Sequence, residues 1–141
     1  AKQWQRNSVR LLVLREDILG VLWRLEERGK KTVVPTQLTE AIGAHSLLVH
    51  IALFGLQKTN AVEKTTMYWT LTKEGRERAT KLVRMHRLWE VYLDEHYPQD
   101  VHQVHQAAER LEHVTTPEMQ SKLGDAKKDP HGRRVPDDTL L

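Results

Sequence analysis

The sequence predicts a mainly α fold with a small β-hairpin, a winged helix-turn-helix followed by a helical lobe. Three observations carry this reading. Apolar residues recur at three- and four-residue spacings in several separate segments, each a potential amphipathic helix. Proline and glycine fall where helices start and stop. One short stretch, residues 61–72, turns instead to strand-forming residues.

Leu11, Leu14, Ile18, Leu22 and Leu25 form the first apolar stripe, which runs to about Arg28 before Gly29 ends it. Pro35 and Thr36 open a short second helix carrying Leu38, Ala41 and Ile42, stopped at Gly43. A third extends from Ser46 to about Lys58, and three short helices in this order suggest a helix-turn-helix. In Ala61 to Thr72, Val62 and then Tyr68, Trp69, Thr70 and Leu71 favour strand on either side of the polar Lys64-Thr65-Thr66, which reads as a hairpin or wing. The Thr72 hydroxyl can cap a long helix from Lys73 to about His96, with Glu74 suiting the positive end of its dipole and Pro98 breaking it. Val101 to Val114 forms another helix, Thr116-Pro117 starts one more, and Gly124 closes it. The tail DPHGRRVPDD is turn-rich and reads as extended. The expected organisation is a winged lobe over 1–72 with an N-terminal linker, a helical lobe over 73–124 and a tail over 125–141.

Bulk properties narrow the function. Of 141 residues, 39% are hydrophobic and 29% charged, with a formal charge of +3, a mild excess that permits contact with nucleic acid or anionic lipid without demanding either. With no cysteine there is no disulfide, zinc-thiolate site or thiol nucleophile, which fits a cytoplasmic setting. The longest nearly uncharged apolar run, Ser46 to Leu56, is far short of the roughly 20 residues of a spanning helix. The chain starts at Ala1 with the basic and aromatic AKQWQRNSVR, as expected of a piece cut from a longer polypeptide. Neither G-x-S-x-G nor a Gly-rich loop occurs, so serine hydrolysis and phosphate-loop chemistry have no support.

The residues with chemical potential lie on two helices. His86 and Glu90 are four apart and share a face. His105, Glu109, Glu112 and His113 fall at offsets zero, four, seven and eight, a single stripe. Leu82, Leu93, Val104, Ala108 and Leu111 are available to pack the two helices together. Imidazole and carboxylate without sulfur suit Mn²⁺, Fe²⁺, Co²⁺ or Zn²⁺, and the hard oxygen share leans toward Mn²⁺ or Fe²⁺. The competing reading is a set of solvated i,i+4 pairs, each contributing only about 0.2–0.5 kcal/mol. Repetition of H-x-x-x-E on adjacent helices, extended in the second to H-x-x-x-E-x-x-E-H, favours metal. His102 reads as a surface residue, and His45, His50, His96 and His131 as structural or solvated.

The stretches MHRLWEVYL (Met85 to Leu93), VHQAAERLEHV (Val104 to Val114), TPEM (Thr116 to Met119) and DPHGRRVP resemble the DtxR/MntR family of metal-dependent repressors. The resemblance spans about Arg15 to Pro136. It implies a winged helix-turn-helix joined to a helical dimerisation domain, with metal setting DNA affinity. It further implies that Asp17 joins Glu109, Glu112 and His113 with His86 around a main site, while His86, Glu90 and His105 build a neighbouring one. Glu109 with Asp17 resembles the manganese type, although a further carboxylate of that type falls at Gly20. Similar domains occur fused behind the permeases of manganese, zinc or iron ABC transporters. The WEVYL wording, the missing start methionine and the basic opening all look like that version.

The third helix bears on what such a domain would contact. Major-groove readout needs hydrogen-bonding side chains on the exposed face, yet the segment reads HSLLVHIALFGLQK. Val49, Leu53 and Leu56 form the stripe expected to face the core. Leu47, Ile51 and Phe54, with Leu48 and Ala52 beside them, form a second. Either that stripe is buried under the wing or helix one, or it is an exposed apolar patch that marks a partner. Both outcomes disfavour specific DNA recognition, leaving Arg6, Arg10 and the wing lysine for phosphate contact. The expectation is therefore a homodimeric, metal-sensing domain of a metal ABC permease, at the cytoplasmic face of the membrane. The alternative is a free-standing metal-dependent repressor. An enzyme is disfavoured, because a saturated ligand set leaves no open position for substrate.

Overall fold

The computed structural model describes residues 2–96, 101–124 and 126–137, excepting the side chains of Trp4 and Val101. Its elements are α1 (Lys2–Glu27), α2 (Pro35–Ile42), α3 (Ser46–Lys58), β1 (Val62–Thr65), β2 (Tyr68–Leu71), α4 (Lys73–His96), α5 (Val101–Leu111), a 3-10 turn (Glu112–Val114) and α6 (Pro117–Lys122). This is the mainly helical winged architecture expected. The chain divides into two compact units, 1–79 and 80–141, with the division inside α4.

In the first unit α1, α2 and α3 pack on one another, α3 meets β1 and α1 meets β2. Ile18, Leu19, Leu38, Val49, Leu53 and Leu56 are wholly buried, because each helix turns its three-and-four-spaced stripe inward. Pro35 starts α2, where a missing amide costs nothing, and Gln37 accepts a hydrogen bond from the Val34 amide at 2.9 Å. Gly43 ends α2 with φ 76°, a conformation that disfavours a β-carbon. The two strands pair antiparallel, Val62 opposite Leu71 and Thr65 opposite Tyr68, and Trp69 also bridges to Val33.

Thr72 fixes where α4 begins. Its hydroxyl donates to the Asn60 carbonyl at 2.6 Å and accepts from the Gly75 amide at 3.0 Å, and its own amide donates to the Ala61 carbonyl. Gly75 is required there, since a β-carbon would collide with that carbonyl oxygen.

In the second unit the core is Met85, Leu88, Trp89, Ala108, Leu123 and Val135, with Tyr92, Leu93, Leu111 and Met119 packed against it. Of the packing residues expected here, Val104 and Ala108 are buried, Leu93 and Leu111 partly so, and Val83 rather than Leu82 is the buried neighbour.

Three features differ from the sequence expectation. α1 starts at Lys2, so residues 2–10 are helical where a linker was expected; nothing in that stretch breaks a helix. α5 ends at Leu111 and tightens into the 3-10 turn, held where Thr115 donates to the Leu111 carbonyl at 2.7 Å and accepts from Trp89 at 2.6 Å. The tail, read as extended, is packed. Val135 enters the core, and the buried Arg84 and Arg87 donate through Nη1 to the carbonyls of Pro136 and Arg134 at 2.7 and 2.5 Å, which offsets part of the cost of burying them. Pro98, expected to break α4, lies outside the described residues. No single described helix is long and apolar enough to cross a membrane.

Candidate metal centre

From Val83 to Glu90 every residue of α4 is buried, so this helix puts polar side chains inside as well as apolar ones. His86 and Glu90, one turn apart and both fully buried, form an ion pair through His86 Nε2. The opposite ring nitrogen, Nδ1, lies 2.8 Å from Glu112 Oε2 on the 3-10 turn. α5 contributes His105, whose Nδ1 is 3.2 Å from His86 Nε2 and 3.3 Å from Glu90 Oε1. The His105 Nε2 faces Glu109 Oε1 at 3.4 Å, and Glu109 is mostly exposed. His113 Nε2 lies 3.3 Å from Glu112 Oε1.

The tail completes the group with residues the sequence reading set aside. His131, expected to be structural or solvated, places Nε2 3.0 Å from Glu90 Oε2. Asp129 makes this happen. Its Oδ1 accepts from the amides of His131 and Arg133 at 3.0 and 2.7 Å, and Oδ2 pairs with Arg133 Nε at 2.9 Å, closing a tight turn. Arg133 Nη2 then reaches Glu90 Oε1 at 3.3 Å.

Two observations test whether these residues fit a metal. Ligand bonds of about 2.0–2.2 Å hold neighbouring donors about 3–3.5 Å apart. The His86–His105, His105–Glu90 and His131–Glu90 pairs stand at 3.2, 3.3 and 3.0 Å. Moreover, Glu90 Oε2 is buried and makes no hydrogen bond, although the His131 nitrogen is close by. A desolvated oxygen turned to an imidazole without a proton aligned between them suits a shared cation. The donors His86, Glu90 and His105 fit a divalent ion.

Burial by itself would raise the Glu90 carboxyl. The hydrogen bond and charge of His86, with smaller help from His105 and Arg133, more than reverse this and lower it to about 2. Glu90 is thus a carboxylate across the physiological range, ready to ligate.

Residues 72–137 match the family described as the iron dependent repressor, metal binding and dimerisation domain. Over 128 residues the chain is 37% identical to a diphtheria toxin repressor of Corynebacterium glutamicum, spanning 86% of this chain and 55% of the repressor. A solved structure of a manganese-dependent transcriptional repressor in complex with manganese superposes with a TM-score of 0.79 at 31% identity, over 87% of this chain and 58% of that one. The chain is thus similar to metal-dependent regulators of the DtxR/MntR type, most directly over residues 72–137. It is also 35% identical over 130 residues to a probable metal transport system membrane protein of Chlamydia trachomatis, spanning 86% of the chain and 29% of that protein. The chain therefore spans no more than 55% of the length of the curated relatives it matches.

The remaining residues singled out in the sequence are placed as follows. Asp17 lies on α1, half-buried, and Gly20 is buried one turn on. His102 is exposed. His45 caps α3 by accepting from the Leu47 amide, and His50 and His96 each contact a carbonyl one turn back in their own helices. On α3, Leu47 and Phe54 are 62% and 56% exposed, and Leu48 and Ile51 are also at the surface. Of the two alternatives, the exposed patch is the one observed. Ala52, grouped with that stripe, is instead fully buried, because it lies beside Val49 and Leu53 on the inner face. Lys58 sits over the Phe54 ring at 4.9 Å. The signal for His131 was present in DPHGRRVP: Asp129 and Arg133 are an i,i+4 ion pair around a proline-glycine turn, which aims the intervening histidine.

Proposed function

We propose that this DtxR-type chain is the divalent-metal-sensing regulatory domain of a metal ABC transporter permease, homodimeric and at the cytoplasmic face of the membrane, and not an enzyme. The metal is Mn²⁺ or Fe²⁺ in preference to Zn²⁺. The observation that carries the metal reading is the buried Glu90 carboxylate, in contact with His86 and faced by His105 and His131 at ligand-like spacings. A bound divalent cation supplies positive charge that the protein's own donors can share. His86, Glu90, His105 and His131 form one ligand set. Glu109, Glu112, His113 and Asp17 form the other, and Asp17 enters on the resemblance alone. Carboxylates supply charge and imidazoles supply directional lone pairs, so occupancy favours whichever state of the domain brings the donors together.

Attachment to a permease is supported by the relative named as a metal transport membrane protein. Delivery of the signal to a protein surface is supported by Leu47, Leu48, Ile51 and Phe54, which occupy the exposed face of α3 without a cation before Lys58. The second reading, a metal-dependent repressor, is favoured by the repressor relatives.

Titration calorimetry with Mn²⁺ and Fe²⁺ on the chain and on Glu90→Gln tests the metal reading, and retained affinity in the variant rejects it. Metal-dependent, sequence-specific duplex retention at about 150 mM salt, where non-specific phosphate contacts fade, would decide for the repressor. Apolar stretches of about 20 residues encoded upstream of Ala1 would decide for the permease.

A further inference from the structure

We propose that Arg133 is a tethered cation that occupies Glu90 in place of metal, so that the group takes up a divalent ion only by displacing a built-in competitor. This rests on the metal reading above and adds a residue that sets affinity. The two cations would claim the same atom. Glu90 Oε1 receives Arg133 Nη2 at 3.3 Å and is also the oxygen shared by His86 and His105.

Arg133 is built for the role. One edge of its guanidinium is held by Asp129 through Nε at 2.9 Å, while Asp129 also fixes the Arg133 amide at 2.7 Å. The other edge projects to Glu90. The side chain is about one-third exposed, at 31%, so it can turn toward solvent while its backbone anchor stays in place. In the metal-free protein it adds a permanent positive charge beside a buried carboxylate whose other near neighbours are imidazoles. A guanidinium never deprotonates in a protein, so this competitor keeps its charge. Arg133 therefore raises the metal concentration needed for occupancy at every physiological pH.

The test is Mn²⁺ titration calorimetry at one fixed pH on the wild-type chain, Arg133→Gln, Arg133→Lys and Glu90→Gln. Losing a charge-assisted hydrogen bond to the competitor should tighten Mn²⁺ binding by Arg133→Gln about tenfold or more. Arg133→Lys keeps the charge but cannot span Asp129 and Glu90 with one planar fork, and should tighten binding by a smaller factor, about threefold. The metal-free melting temperature of Arg133→Gln should fall and its rise on adding Mn²⁺ should exceed that of the wild type. Unchanged or weaker affinity in Arg133→Gln overturns the proposal. If that variant does not fold, the same outcome in Arg133→Lys overturns it. Unaltered affinity in Glu90→Gln would instead reject the metal reading itself, whatever the arginine variants do.

Discussion

α3 presents Leu47, Leu48, Ile51 and Phe54 to solvent, whereas α4 buries His86, Arg87 and Glu90. Each departs from the usual arrangement in the opposite direction, one with oil outside and the other with charge inside. The cost differs too. An exposed leucine forgoes a stabilisation, but a buried carboxylate must be actively compensated, and Glu90 is, by two imidazoles of the helical pair, a third from the tail and a guanidinium. A helix that spends interactions in this way is organised around something charged. A helix that leaves large side chains uncovered has the apolar face that the proposed protein contact requires.

The comparison breaks first at Glu90. Glu90→Ala removes the anion that His86 and Arg133 share, leaving them Glu112 and Asp129, and together with the space it opens should destabilise the metal-free protein by about 2–3 kcal/mol in urea unfolding. A loss below about 1 kcal/mol would mean that the buried charges were never coupled. Acid should reveal the same coupling. The folded Glu90 is lowered from 4.5 to about 2, so its contribution is fully present above about pH 4.5 and is lost as pH falls through about 2. Unfolding midpoints across that window should fall more steeply for the wild type than for Glu90→Gln.

The two faces of α3 sharpen the other side. Leu53→Ala on the inner face should cost about 2–5 kcal/mol, and a loss under 1 kcal/mol would contradict its burial. Phe54→Ser on the outer face should change stability by no more than about 0.5 kcal/mol. If this face docks on a permease as proposed, the effect of the substitution should appear instead as weaker capture of a separately expressed permease portion by the domain. A large stability loss from Phe54→Ser would show that the outer stripe belongs to the fold.

Much of this was legible in the chain because the decisive signals are local. Pro35, Gly43 and Thr72 mark helix ends through their own backbone and hydroxyl chemistry, and the structure places those boundaries where the residues do. The two histidine-carboxylate stripes are likewise visible as periodicity, since residues four apart must share a face. Ala52 escaped, because a small side chain between two stripes carries no preference of its own. Residues 2–10 escaped for a related reason: a polar helix without caps resembles a linker.

Sequence alone determined the order of elements, the winged architecture and the pairing of imidazole with carboxylate along each helix, all consequences of spacings shorter than about two turns. Only the tertiary structure decided that the outer stripe of α3 stays uncovered and that the tail folds back to bring His131 and Arg133 onto Glu90. Those outcomes depend on which surfaces meet across more than forty residues of chain, Glu90 to Arg133 being separated by 43. Burial and the balance of compensating charge are collective quantities, settled by all the neighbours at once, and no periodicity within one helix encodes them.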